Sequence, residues 1–189
     1  MNLRQLPNII TVARMLMVPL LLWCLHTGEH AAALWIALAA GFSDALDGWL
    51  AKRFGWQTWL GGVLDPIADK LLLDASFVGL WLAAAIPGWL AALVVGRDVV
   101  IVSGASTYHF LIGTVTGRPT LLSKATTVAQ IAFVLAVLVE LAWRPLPREL
   151  ALAAIGLVAA LTLASGIDYV VRWSLRARNA RRAQQGAKR

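Results

Sequence analysis

The sequence predicts an all-α, polytopic membrane protein with six transmembrane helices. Three observations carry this. Hydrophobic residues make up 59% of the 189-residue chain and charged residues only 14%. The mean hydropathy is +0.71, outside the range of ordinary soluble domains. The apolar residues fall into runs of about 20, the length needed to cross a hydrocarbon core ~30 Å thick.

The first run does not read as a cleaved signal peptide. Residues 1–6 hold one basic residue, and Thr27-Gly28-Glu29-His30 offers no small-x-small cleavage site. Residues 6–26 are expected to form the first span, with Asn8, Thr11 and Arg14 three apart on one face near its start. Arg14 either snorkels to the interface or faces a pocket. The second span is expected over residues 31–51 and the third over 60–85, separated by a polar break at 53–58. Pro66 falls near the start of the third, where its missing N–H matters least. Cys24 sits alone in an apolar run and can form no internal disulfide, so it is read as packing.

Ile86-Pro87-Gly88 turns the chain into a fourth span over 89–113. Arg97 and Asp98 lie inside it, pointing about 100° apart, so they need not pair with each other. An arginine at that depth marks a functional position by default. Gly117-Arg118-Pro119 precedes a fifth span over 124–143, and Arg144-Pro145-Leu146-Pro147 precedes a sixth over 149–173. Asp168 and Arg172, four apart, read as a structural ion pair.

Charge is unevenly placed. The net charge is +7, and seven basic residues lie in the last eighteen positions. Next to a span, such a tail lies against anionic lipid and sets orientation, and no nucleic-acid partner is expected. Arg4, Lys52, Arg53, Arg118, Lys124 and the tail share one side of a six-span topology, against Arg144 and Arg148 on the other. The positive-inside rule makes the majority side, with both termini, cytoplasmic. Trp59, Trp81, Trp89, Trp143 and Trp173 fall near expected span ends, where an aromatic belt belongs. Residues 1–175 are expected to form one membrane domain and 176–189 a basic cytoplasmic tail.

The chemistry concentrates in residues 44–69, which hold Asp44, Asp47, Asp65 and Asp69, four of only ten acidic residues. Asp44 and Asp47 share a helical face, as do Asp65 and Asp69, and antiparallel helices bring both pairs to the cytoplasmic end. Each carboxylate costs ~2.5–3.5 kcal/mol at bilayer depth, so positive charge must stand among them. Lys52, Arg53 and Lys70 are the nearby bases, too few to neutralise all four. Asp74 lies off that face and serves at most a neighbouring base. An all-oxygen cluster suits two divalent cations, Mg²⁺ or Mn²⁺, which can stabilise attacking and leaving oxygens in phosphoryl transfer. A transporter or channel with carboxylates on the path of a permeating cation is the alternative of another class. The glycine spacing and the clustering at one membrane face oppose it.

The spacing D-x2-D-G-x2-A-R-x8-G-x3-D-x3-D is the signature of the CDP-alcohol phosphotransferase family, and this chain resembles it at Asp44, Asp47, Gly48, Ala51, Gly61, Asp65 and Asp69. Lys52 stands where that family usually has arginine, keeping the charge but losing the bidentate fork. The resemblance implies that an alcohol attacks the β-phosphorus of CDP-diacylglycerol and CMP leaves. It implies metal ligation by Asp44, Asp47, Asp65 and Asp69, with Asp69 also taking the hydroxyl proton. Gly48, Ala51, Lys52 and Gly61, with Asn8 and Thr11, would meet the nucleotide. Arg14, Arg97, Lys124 and Arg118 would meet the acceptor. A homodimer in a bacterial inner membrane is the implied setting.

Two branches of that family are similar to this chain, phosphatidylglycerophosphate synthases and cardiolipin synthases. The former typically place cations where this chain has Ala105 and Thr126. A dianionic acceptor such as glycerol 3-phosphate needs such cations, so the expected acceptor is phosphatidylglycerol, with glycerol 3-phosphate the runner-up.

Overall fold

A computed structural model describes residues 6–55, 59–111 and 120–186. Among the described residues the chain folds as six helices: α1 (Leu6–Thr27), α2 (His30–Phe54), α3 (Trp59–Leu82), α4 (Gly88–Leu111), α5 (Leu121–Ala142) and α6 (Arg148–Gly186). Each coincides with one expected apolar run. The breaks use the local chemistry that helix ends require. Gly28 (φ 79°) turns α1 into α2, and the N–H of Glu29 closes on the Cys24 carbonyl at 2.8 Å. Thr120 caps α5, its hydroxyl accepting from Ser123 N–H at 3.1 Å.

Helix α3 begins at Trp59, one residue before the expected start, and Pro66 lies inside it. Helix α6 does not stop near Trp173; it continues to Gly186 and is 39 residues long. At 1.5 Å per residue that is ~58 Å, well beyond the ~30 Å a bilayer core needs. The charged stretch ends the apolar run, but its Arg, Ala and Gln residues are good helix formers and carry the helix on.

Helix α1 packs against both α2 and α3; α4 packs on α3 and α6, and α5 on α2 and α6. Leu21, Leu34, Phe77, Leu80, Leu90, Val94, Leu138 and Val158 form the core. Phe77 stacks on Phe133 with ring centroids 5.8 Å apart. Cys24 is a buried member of this core, as expected. Helix α3 reaches α1 closely through Gly79, where an added Cβ would stand 2.6 Å from Leu25 Cδ1, the small-residue contact typical of membrane helix pairs.

The outer surface is apolar. Leu16, Trp23, Phe42, Leu82 and Ile167 are each more than 60% exposed, an arrangement that water would not tolerate over so large an area. Among the described residues four helices are long and apolar enough to cross a membrane, over Ile9–Thr27, His30–Leu50, Leu121–Ala142 and Arg148–Leu175. Helix α3 carries Asp65, Asp69, Lys70 and Asp74 within ten residues, and α4 carries Arg97 and Asp98.

Candidate active site

Helices α2 and α3 each pack against α1, and the aspartate pairs near the end of α2 and the start of α3 meet α1 at one end of the bundle. Residues of α1 at i and i+3 supply the contacts. Thr11 donates to Asp65 Oδ1 at 2.5 Å. Arg14 Nη1 stands 2.8 Å from Asp44 Oδ1 and 2.6 Å from Asp69 Oδ1, while Nη2 donates to Asp47 Oδ2. The cation that the carboxylates require is therefore Arg14, from a helix 30 residues away in sequence. Lys70 Nζ lies 3.1 Å from Asp98 Oδ1, and Arg53 is exposed.

Arg14 does not snorkel; its side chain is fully buried. Asp47 is equally enclosed, at 3% exposure, whereas Asp44 and Asp69 are 44% and 48% exposed. The cluster thus has a closed floor at Asp47 and an open rim at Asp44 and Asp69. Among the described residues one guanidinium stands against four carboxylates, which leaves three negative charges to be offset. Among the described residues no three carboxylate, imidazole or thiol groups stand in a ready-made coordination shell; three of the aspartates ring Arg14 instead. The donor set still fits hard divalent cations in kind, since every group that the cluster offers is an oxygen.

Of the other expected site residues, Gly48 follows Asp47 on α2, and a Cβ added there would meet nothing within 4 Å, so the backbone is open to approach. Ala51 and Lys52 occupy the end of α2, Gly61 the start of α3 and Asn8 the start of α1, but their side chains lie outside the described residues. Arg118 lies outside them altogether. Lys124 is exposed near the start of α5.

Arg97 forms a second polar centre. It pairs with Asp98, Nη1 to Oδ1 at 2.5 Å, the long arginine stem folding back across the 100° between the two positions. Its Nη2 donates to Ser123 of α5 at 2.9 Å and Ser165 of α6 at 2.8 Å. Lys70 links this centre to the first, contacting Asp98 while lying directly after Asp69 in α3. Sequence reasoning missed Asp98, Ser123 and Ser165 as partners; two adjacent charges in an apolar run were the available signal. Asp74 Oδ1 is buried without a hydrogen-bond partner. Asp168 pairs with Arg172 at 2.6 Å, as expected.

The sequence model of CDP-alcohol phosphatidyltransferases matches residues 4–166, taking in α1, both aspartate pairs and the Arg97 centre. The chain belongs to the CDP-alcohol phosphatidyltransferase family. It is 32% identical over 90% of its length to a cardiolipin synthase (CMP-forming)/mitochondrial hydrolase fusion protein of Schizosaccharomyces pombe, of which it spans 31%. It is 35% identical over 90% of its length to a probable phosphatidylglycerophosphate synthase of Mycobacterium tuberculosis, of which it spans 82%. A probable cardiolipin synthase of Drosophila melanogaster is 28% identical, with 90% of this chain and 58% of that protein covered. As a CDP-alcohol phosphatidyltransferase the chain is a transferase of phospholipid synthesis.

Arg14→Met tests the ion-pair centre. It leaves the buried Asp47 facing methylene and two half-exposed carboxylates without their cation. Breaking a buried pair from one side costs about 3–5 kcal/mol, so the thermal midpoint in detergent should fall by several degrees. Arg14→Lys should recover only part, since an ammonium cannot bridge three carboxylates as a planar fork does. An unchanged midpoint in Arg14→Met would contradict the assignment.

Proposed function

We propose that this protein transfers the phosphatidyl group of CDP-diacylglycerol to phosphatidylglycerol, forming cardiolipin and releasing CMP. The observation that carries the acceptor is the state of the α4–α5 cations. Arg97 is already engaged by Asp98, Ser123 and Ser165. Thr126, where a lysine would serve a phosphorylated acceptor, is fully buried and donates to the Leu122 and Leu161 carbonyls. A phosphodiester with one charge asks less of such a site than a dianionic phosphate.

Asp44, Asp47, Asp65 and Asp69 are the groups assigned to hold two divalent cations, Mg²⁺ or Mn²⁺. When bound, these would stabilise charge on the attacking and leaving oxygens of the transferring phosphoryl group. Gly48, Ala51, Lys52 and Gly61, with Asn8 and Thr11, are assigned to the cytidine nucleotide. Asp69 stands at the open rim and is assigned to take the proton of the acceptor hydroxyl. That oxygen then bonds to the β-phosphorus as the bond to CMP breaks. Arg14 orients three of the carboxylates and, with Arg97, Lys124 and Arg118, is assigned to the acceptor side. Charge placement supports six spans, with α3 and α4 crossing shielded by their neighbours, both termini in the cytoplasm of a bacterial cell, and residues 176–189 as a basic tail. A homodimer is the expected assembly.

The runner-up is phosphatidylglycerophosphate synthesis from glycerol 3-phosphate, favoured by the similarity to the mycobacterial protein. Purified protein with CDP-diacylglycerol, offered each acceptor separately, decides. Two missing charge-assisted contacts, at roughly 1.5–3 kcal/mol each, weaken glycerol 3-phosphate at least about a hundredfold. Cardiolipin with phosphatidylglycerol, and little product with glycerol 3-phosphate, is expected; the reverse pattern would establish the runner-up.

A further inference from the structure

Helices α4 and α6 are pinned together at two points: the Tyr169 hydroxyl donates to the Ile101 carbonyl at 2.7 Å, and Arg97 Nη2 to Ser165. Beside these points runs a cavity of about 490 Å³, lined by Gly96, Arg97, Val100, Gly166, Ile167 and Val170 among others. Its volume lies within the range of ligand pockets. Gly96 gives it depth, since a Cβ added there meets nothing within 4 Å. Its lining extends over residues 92–100 of α4 and 162–171 of α6, ~12–14 Å along each axis. That is about half of a ~30 Å hydrocarbon core, or one leaflet.

Apart from Arg97 and Thr162 the lining is apolar, and the outer wall faces away from the bundle, Ile167 being 63% exposed. Arg97 is 8% exposed, and its Nε has no hydrogen-bond partner. The inner wall is joined to the carboxylate cluster through Asp98 and Lys70, the residue after Asp69. The residues assigned to the donor nucleotide lie on α1, α2 and α3, which leaves the α4–α6 seam to another lipid.

We propose that this groove holds one acyl chain of the acceptor phosphatidylglycerol, lying along one leaflet with the buried Arg97 beside it. The inference rests on the acceptor reading above: a water-soluble acceptor has no hydrocarbon to place here, whereas a lipid acceptor must bring its chains to the bundle.

The test uses purified full-length protein in phosphatidylcholine vesicles, with phosphatidylglycerol carrying a photoreactive acyl chain. Label is expected on residues 92–100 and 162–171. Gly96→Leu fills the groove at a position with free space and improves helix propensity. It should reduce that label and raise the KM for phosphatidylglycerol about tenfold or more by excluding several methylenes, with the KM for CDP-diacylglycerol unchanged. Gly96→Ala should fall between it and the parent, which guards against misfolding of the larger variant. Cardiolipin synthesis with a KM indifferent to both substitutions would overturn the groove and leave the proposed function standing. A parent enzyme that uses only glycerol 3-phosphate would overturn both. Label in the groove from photoreactive CDP-diacylglycerol, or crosslinks there to a second copy of the chain, would overturn the acceptor assignment of the groove alone.

Discussion

Asp47→Asn is expected to lower kcat by roughly a thousandfold or more while leaving a folded protein. The substitution keeps the shape of the side chain and removes one charge from the most enclosed of the four aspartates. Arg14 retains Asp44 and Asp69 as partners, so the ion-pair centre survives. The loss falls on the cations that the cluster is assigned to hold. Such a cation is worth several kcal/mol to the transition state, and each ~1.4 kcal/mol is tenfold in rate. The check is CMP release at saturating substrates, beside a thermal midpoint. Activity within tenfold of the parent would remove Asp47 from the site.

Asp69→Asn separates base from ligand. A positioned base contributes about 10²–10⁴-fold, and Asp69, half-exposed at the rim, is the aspartate assigned to meet an incoming hydroxyl. Turnover should fall by that factor while CDP-diacylglycerol binding persists, measured by equilibrium binding of the labelled lipid. Binding and turnover falling in strict parallel would leave Asp69 a metal ligand only.

Much of this arrangement is legible in the sequence because membrane helices announce themselves as apolar runs, and all six elements fall where those runs do. The aspartate pairs were visible as spacing, and Asn8, Thr11 and Arg14 as a face. What the sequence hid was which face meets which. Arg53 and Lys70 are near the aspartates in sequence, but Arg14 pairs with three of them because α1 packs against both α2 and α3. That is a tertiary fact, and no local spacing encodes it. The Arg97–Asp98 pair was left open by the sequence for a different reason: helical angle fixes where Cβ points, not where a long side chain ends. The length of α6 was missed because hydropathy marks where a membrane span ends, while helix propensity decides where the helix does.

The four aspartates and Arg14 are proposed to form a site for divalent cations at the open end of the bundle. Equilibrium binding of Mn²⁺ to the purified protein, followed by the electron spin resonance of the free ion, decides whether they do. Two ions per chain are expected in the parent protein and fewer in Asp47→Asn. No binding by the parent, or the same two ions in Asp47→Asn, would contradict it.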